Sequence, residues 1–156
     1  MELNAMKERE AICDVCHKMW QLGIVAANDG NVSVKLEDGA FLCTQSGVSK
    51  AAMTPEILVH LAADGSVISA AEGYKPSSEM KMHFRCYAER EDVKAVVHAH
   101  PPIATSYASM GRALDGYQAM EFIVNLGAVP IAPYAQPSTD EVPDSIAPFL
   151  QDHDAI

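Results

Sequence analysis

The chain has 156 residues, enough for one domain with a substantial core, and carries 11 Lys and Arg against 21 Asp and Glu. A net charge of −10 excludes nucleic acid and anionic membrane as partners, because both are bound through clustered Lys and Arg. No signal-like opening and no bilayer-length apolar run occur, so a cytoplasmic protein is expected, with Cys13, Cys16, Cys43 and Cys86 too scattered for a secreted disulfide framework.

The first predicted element is a helix from about Asn4 to Leu22, with Ala5, Ile12, Cys16, Met19 and Trp20 near one face and Gly23 as C-cap. Within it, Cys13-Asp14-Val15-Cys16-His17 matches the C-x-x-C-H pattern of haem attachment. That chemistry requires export, so the two cysteines are read as small apolar residues of an amphipathic helix rather than a haem or redox pair. A turn cluster, Ala26 to Asn31, leads to strands Val32–Leu36 and Ala40–Thr44, joined by a hairpin at Glu37-Asp38-Gly39. Thr54-Pro55-Glu56 reads as a short helical start, and Ile57–Ala62 with Ser66–Ala70 as a second hairpin through Asp64-Gly65.

Lys75 to Glu79 then opens a helix running to about Arg90, capped by Ser77 or Ser78. Val93–His100 reads as a buried strand, Pro102–Met110 as a helix, Val129–Tyr134 as a strand, and Thr139–Gln151 as a helix interrupted by Pro143 and Pro148. Strands come partly as hairpins and partly between helices, which predicts a mixed sheet covered by helices.

Three groups of residues carry chemistry. His98 and His100 share one strand face by the two-residue period, at a strand end closed by Pro101-Pro102. Two imidazoles on one face suit a metal pair, although packed or surface histidines fit the same spacing, and a catalytic zinc ordinarily has three protein ligands. Ser77 and Ser78 stand at a helix start, where hydroxyls and unpaired N–H groups cradle an anion; taken alone, plain capping is the better account of them. Glu79 beside them is favoured by the helix dipole and gains meaning only if it faces the histidines. The turns Asn28-Asp29-Gly30-Asn31-Val32-Ser33 and Thr44-Gln45-Ser46-Gly47 match no dinucleotide or Walker fingerprint.

Taken in order, GIVAANDGNVSVKLEDGAFLCTQSGVSK, KPSSEMKMHFRCYAEREDVKAVVHAHPPIATSYA and VPIAPYA resemble the class II aldolase/adducin family. The resemblance covers the chain from the first helix on. It implies an α/β fold with a mixed, mainly antiparallel central sheet covered by helices on both faces. It also implies His98 and His100 as ligands of a divalent ion, usually zinc but also manganese or cobalt, and Glu79 as the acid/base. Gly30, Asn31, Ser46, Gly47, Ser77 and Ser78 would hold the phosphate of a sugar-phosphate substrate.

The implied activity is a metal-dependent aldolase cleaving a ketose 1-phosphate to dihydroxyacetone phosphate and an aldehyde. A pentulose-5-phosphate 4-epimerase or methylthioribulose-phosphate dehydratase would use the same site, and an adducin-like binding module would not use it. A ring-like homotetramer is implied as well. Many members read GTSGN where this chain reads ANDGN, so Asn28 and Asp29 replace hydroxyls near the expected phosphate site. The family also places a third histidine ligand beyond the segment 151–156, and His153 is not its equivalent. The expectation is therefore a single domain, 1–156, shortened by its C-terminal strand and helix.

No Schiff-base lysine motif is obvious, with Lys50, Lys75 and Lys81 left open. His83, one helical turn after Glu79, either backs the metal site or packs in the core. His17, His60 and His153 read as structural or exposed, and Tyr107 and Tyr134 as packing residues.

Overall fold

In the computed structural model, which describes residues 5–116 and 119–156, the first element is helix α1, Met6–Gln21. The expected start at Asn4 lies outside the described residues. Ile12, Cys13, Cys16 and Met19 form its buried stripe at helical spacing. Trp20, expected on that face, is 51 % exposed, because it lies at the margin of the stripe in the last turn. The stop is a Schellman cap: Gly23, at φ +67°, donates to the Trp20 carbonyl and Ile24 to that of Met19. Burial raises the thiol pKa of Cys13 to about 11 and that of Cys16 to about 12, so both are packing groups and not thiolates.

Five strands form one sheet: β1 (Asn31–Lys35), β2 (Phe41–Cys43), β3 (Val59–Leu61), β4 (Val67–Ser69) and β5 (Ala95–His98). The spatial order is β4-β3-β2-β1-β5, and every neighbouring pair is antiparallel. The first hairpin closes through Gly39 at φ +84°, with the Asp38 carboxylate accepting from the Ala40 N–H. Val32 and Leu42 turn the same way and pack with Ile12, Cys16, Met19, Met53 and Leu58. Burying a side chain such as Leu42 contributes about 1.5–3 kcal/mol. A buried guanidinium fixes α1 to the approach to β3: Arg9 Nη1 donates to the carbonyls of Pro55 at 2.7 Å and Leu58 at 3.2 Å.

Two expected strands are corrected. The segment 93–100 is paired only over Ala95–His98 and is not buried; it pairs with β1 alone, and Val97 is half exposed. In the segment 129–134, pairing is limited to an isolated bridge between Leu114 and Val129. Pro130 and Pro133 remove the N–H groups a ladder would use.

Packing divides the chain into two units. The first runs to Met80 and includes Val93–Pro101; it holds α1 and the sheet. The second, Lys81–Asp92 with Pro102–Ile156, holds all but the first residue of α2 (Met80–Glu89), and α3 (Pro102–Ser109), α4 (Met120–Asn125) and α5 (Glu141–Ile146). Pro143 is tolerated in the first turn of α5, whereas Pro148 falls in a 3-10 turn, Ala147–Phe149, so the expected helix 139–151 is shorter. Exposed ion pairs such as Lys81–Asp140 and Arg85–Asp144 trim this second unit, and His83 is fully buried. No described helix is long and apolar enough to cross a membrane.

Candidate functional site

All nine residues singled out from the sequence fall in the first unit. The antiparallel register of β1 and β5 sets Asn31 opposite His98, and cross-strand partners share a face. Asn31 is buried, and its Nδ2 lies 3.2 Å from His98 Nδ1. His100 lies beyond the last paired residue, and its N–H donates to the Ile24 carbonyl at 3.0 Å. The two imidazoles meet edge to face, Nε2 to Nε2 at 3.2 Å.

Gly30 makes this approach possible. It has φ +72°, and a Cβ there would stand 2.8 Å from the His98 carbonyl oxygen and 2.7 Å from Val25 Cγ1. Only a residue without a side chain lets the turn lie this close to β5.

The charges around the pair are legible. Burial, then His100, lowers the His98 pKa, while the carboxylates of Glu79 and Asp29 act to raise it. Glu79 is therefore within electrostatic reach of His98. Asp29 Oδ2 lies 3.8 Å from His100 Nδ1. Sequence reasoning set the Asp29 carboxylate near the phosphate turns; the structure sets it against the histidines. The ANDGN departure itself was the signal, and only the register shows what that carboxylate faces.

The serine turn and the helix start are hydrogen-bonded to each other. Ser46 N–H donates to the Lys75 carbonyl and Ser46 Oγ to that of Pro76, while Ser77 N–H donates to Thr44 O. Ser77 Oγ accepts from the Glu79 N–H at 3.3 Å, and α2 begins at the next residue, Met80. Ser77 is thus the capping serine, and because the helix starts at Met80 and not within 75–79, Glu79 stands just before it rather than in its first turn. Ser78 is exposed there, and Gly47, at φ +77°, has open space where a Cβ would stand.

Lys50 is a positional element that sequence reasoning left open. It is 1 % exposed, and its Nζ donates to the carbonyls of Asn28 and Val48, clamping the two glycine turns together. Burial lowers its pKa. Gln45 is a second such residue. It is 2 % exposed, and neither polar atom of its carboxamide is paired among the described residues. Gln45→Met, of similar volume, removes two buried unpaired atoms and is expected to stabilise the protein by about 1–3 kcal/mol in thermal melts; an unchanged melting point contradicts the unpaired state.

Among the described residues no three His, Cys, Asp or Glu converge to hold a metal ion. The two imidazoles nevertheless fit one. Tetrahedral zinc with Zn–N of about 2.0–2.1 Å separates two ligand nitrogens by about 3.3 Å, close to the 3.2 Å between these Nε2 atoms. The Asn31 carboxamide, turned to present oxygen, accepts the His98 Nδ1–H and leaves the Nε2 lone pair for the ion.

The fold and this arrangement define an α/β protein built around an imidazole pair, a nearby carboxylate and a serine-lined helix entry. The chain belongs to the family described as the class II aldolase and adducin N-terminal domain, whose profile it matches over residues 10–156. It is 32 % identical over 155 residues to L-fuculose phosphate aldolase of Escherichia coli K12, spanning 99 % of this chain and 69 % of that protein. It is 30 % identical over 153 residues to the 3-oxo-tetronate 4-phosphate decarboxylase of the same organism, spanning 95 % of this chain and 70 % of that protein. The crystal structure of L-fuculose-1-phosphate aldolase from Thermus thermophilus superposes with a TM-score of 0.78 at 33 % identity, covering 93 % of this chain and 71 % of the other.

Proposed function

We propose that the chain is a metal-dependent lyase of phosphorylated sugars, cleaving a ketose 1-phosphate to dihydroxyacetone phosphate and an aldehyde. The observation that carries this reading is the His98–His100 pair, Nε2 to Nε2 at 3.2 Å, with the Glu79 carboxylate in electrostatic reach of His98. Similarity to two L-fuculose phosphate aldolases supports it.

His98 and His100 would hold zinc, manganese or cobalt, which supplies Lewis-acid stabilisation of the negative charge that develops at the substrate carbonyl oxygen. Ser46, Gly47, Ser77 and Ser78 bind the phosphate through hydroxyls and backbone N–H groups, with Gly30 and Asn31 forming the opposing turn. This fixes the reacting carbons beside the imidazoles. Glu79, at the helix entry, moves the proton at the carbon next to the carbonyl. The large apolar side chains exposed in the second unit, Ile103, Met120 and Val124, support assembly as a homo-oligomer, with four copies the natural count for this reading.

Decarboxylation is the runner-up, because the similarity to the 3-oxo-tetronate 4-phosphate enzyme is nearly as high. Loss of carbon dioxide from a 3-oxo acid leaves charge at the same kind of carbonyl oxygen. Incubating the protein and a divalent ion with ketose 1-phosphates, pentulose 5-phosphates and a 3-oxo acid phosphate separates the reactions by product. Dihydroxyacetone phosphate and an aldehyde are expected. Carbon dioxide, or an inverted C4 centre without cleavage, would replace the aldolase reading.

A further inference from the structure

We propose that Asp29 is a positioning residue of the cation site, holding His100 through its Nδ1 so that Nε2 faces the ion. The inference rests on the reading of His98 and His100 as a cation pair. It concerns a carboxylate that this reading does not itself require.

The backbones that carry the two side chains are anchored to one segment. The Asp29 N–H donates to the Ala26 carbonyl at 2.8 Å, and the His100 N–H donates to that of Ile24 at 3.0 Å, two residues away. Both backbones are therefore fixed to segment 24–26. The next residue, Gly30, packs on the His98 carbonyl. The separation of Asp29 Oδ2 from His100 Nδ1 is 3.8 Å, a charge contact about 1 Å longer than a hydrogen bond. Both side chains are roughly half exposed, so a small rotation closes the gap without repacking.

The chemistry supplies the direction. An imidazole that binds a cation through Nε2 keeps its proton on Nδ1, and that N–H needs an acceptor. The carboxylate of Asp29 is on that side of the ring. It also acts on His98, and Lys50, whose ammonium interacts with Asp29, holds the carbonyl of the neighbouring Asn28. Asp29 thus sets its negative charge beside the imidazole pair, which favours a cation there.

The test is a titration of the full chain with Co(II), followed by its visible absorption, together with 15N NMR of the His100 ring without metal. Wild-type protein should bind Co(II), and His98→Ala should abolish the spectrum. Asp29→Ala should weaken Co(II) binding by about 10–100-fold, with Asp29→Asn intermediate because its carboxamide oxygen still accepts. Without metal, His100 should be the Nδ1–H tautomer in wild type and a mixture of tautomers in Asp29→Ala. A fold defect would not produce that mixture while leaving the melting curve unchanged. Equal Co(II) affinity and an unchanged tautomer in Asp29→Ala would overturn the role of Asp29 and leave the imidazole pair standing. Wild-type binding unaffected by His98→Ala would instead remove the pair, and Asp29 with it.

Discussion

Replacing Glu79 with Gln should lower turnover by about 10²–10⁴-fold, the range a positioned acid/base contributes. The carboxamide keeps the volume and the backbone bond to Ser77 Oγ, so the helix entry is preserved. What disappears is the ability to carry a proton and the negative charge that raises the basicity of His98. Two measurements read these losses independently. Steady-state kinetics on the cleaved sugar phosphate should show kcat falling far more than KM rises. Proton NMR of the His98 ring should show titration at lower pH in Glu79→Gln than in wild type. If the imidazole titrates as before, the carboxylate is out of reach of His98 and leaves the mechanism; if turnover survives within a few-fold, Glu79 is not the proton carrier.

Gly30→Ala should destabilise the first unit strongly. At φ +72° an alanine carries a left-handed backbone cost of about 1–2 kcal/mol. Its Cβ would also press within 2.8 Å of the His98 carbonyl oxygen and 2.7 Å of Val25 Cγ1, both enclosed by packing. Overpacking of this kind adds about 1–3 kcal/mol. The sum lowers the melting temperature by on the order of 10 °C in a chain of this size. Gly47→Ala is the matched control, with the same sign of φ and open space around the new methyl, and only the backbone cost applies to it. Gly30→Ala should also loosen divalent-metal binding, because relief of the clash moves β5 at His98. Equal melting temperatures for the two variants would show that the turn does not press on β5.

Much of this was legible beforehand, because it is encoded at short range. The Schellman stop at Gly23 and the Glu37–Gly39 hairpin follow from residues within a few positions of each other. So do the serine cap before α2 and the shared face of His98 and His100. The family, too, could be read from the order of its characteristic stretches, and the profile match over 10–156 bears that out. The expected strand over 129–134 failed because a ladder needs the N–H groups that Pro130 and Pro133 lack.

The sequence by itself determined which residue types were available and where α1 and the first hairpin stop, since caps, turns and two-residue periods are local. Only the tertiary structure decided who meets whom. Asn31 faces His98 across 67 residues because β1 and β5 pair in one particular register. The same tertiary closure set Asp29 near His100, left β5 half exposed, and buried Lys50 between two turns. Such contacts depend on closure of the whole sheet, whose register is fixed by the apolar face it must bury against α1, and no local pattern contains that choice.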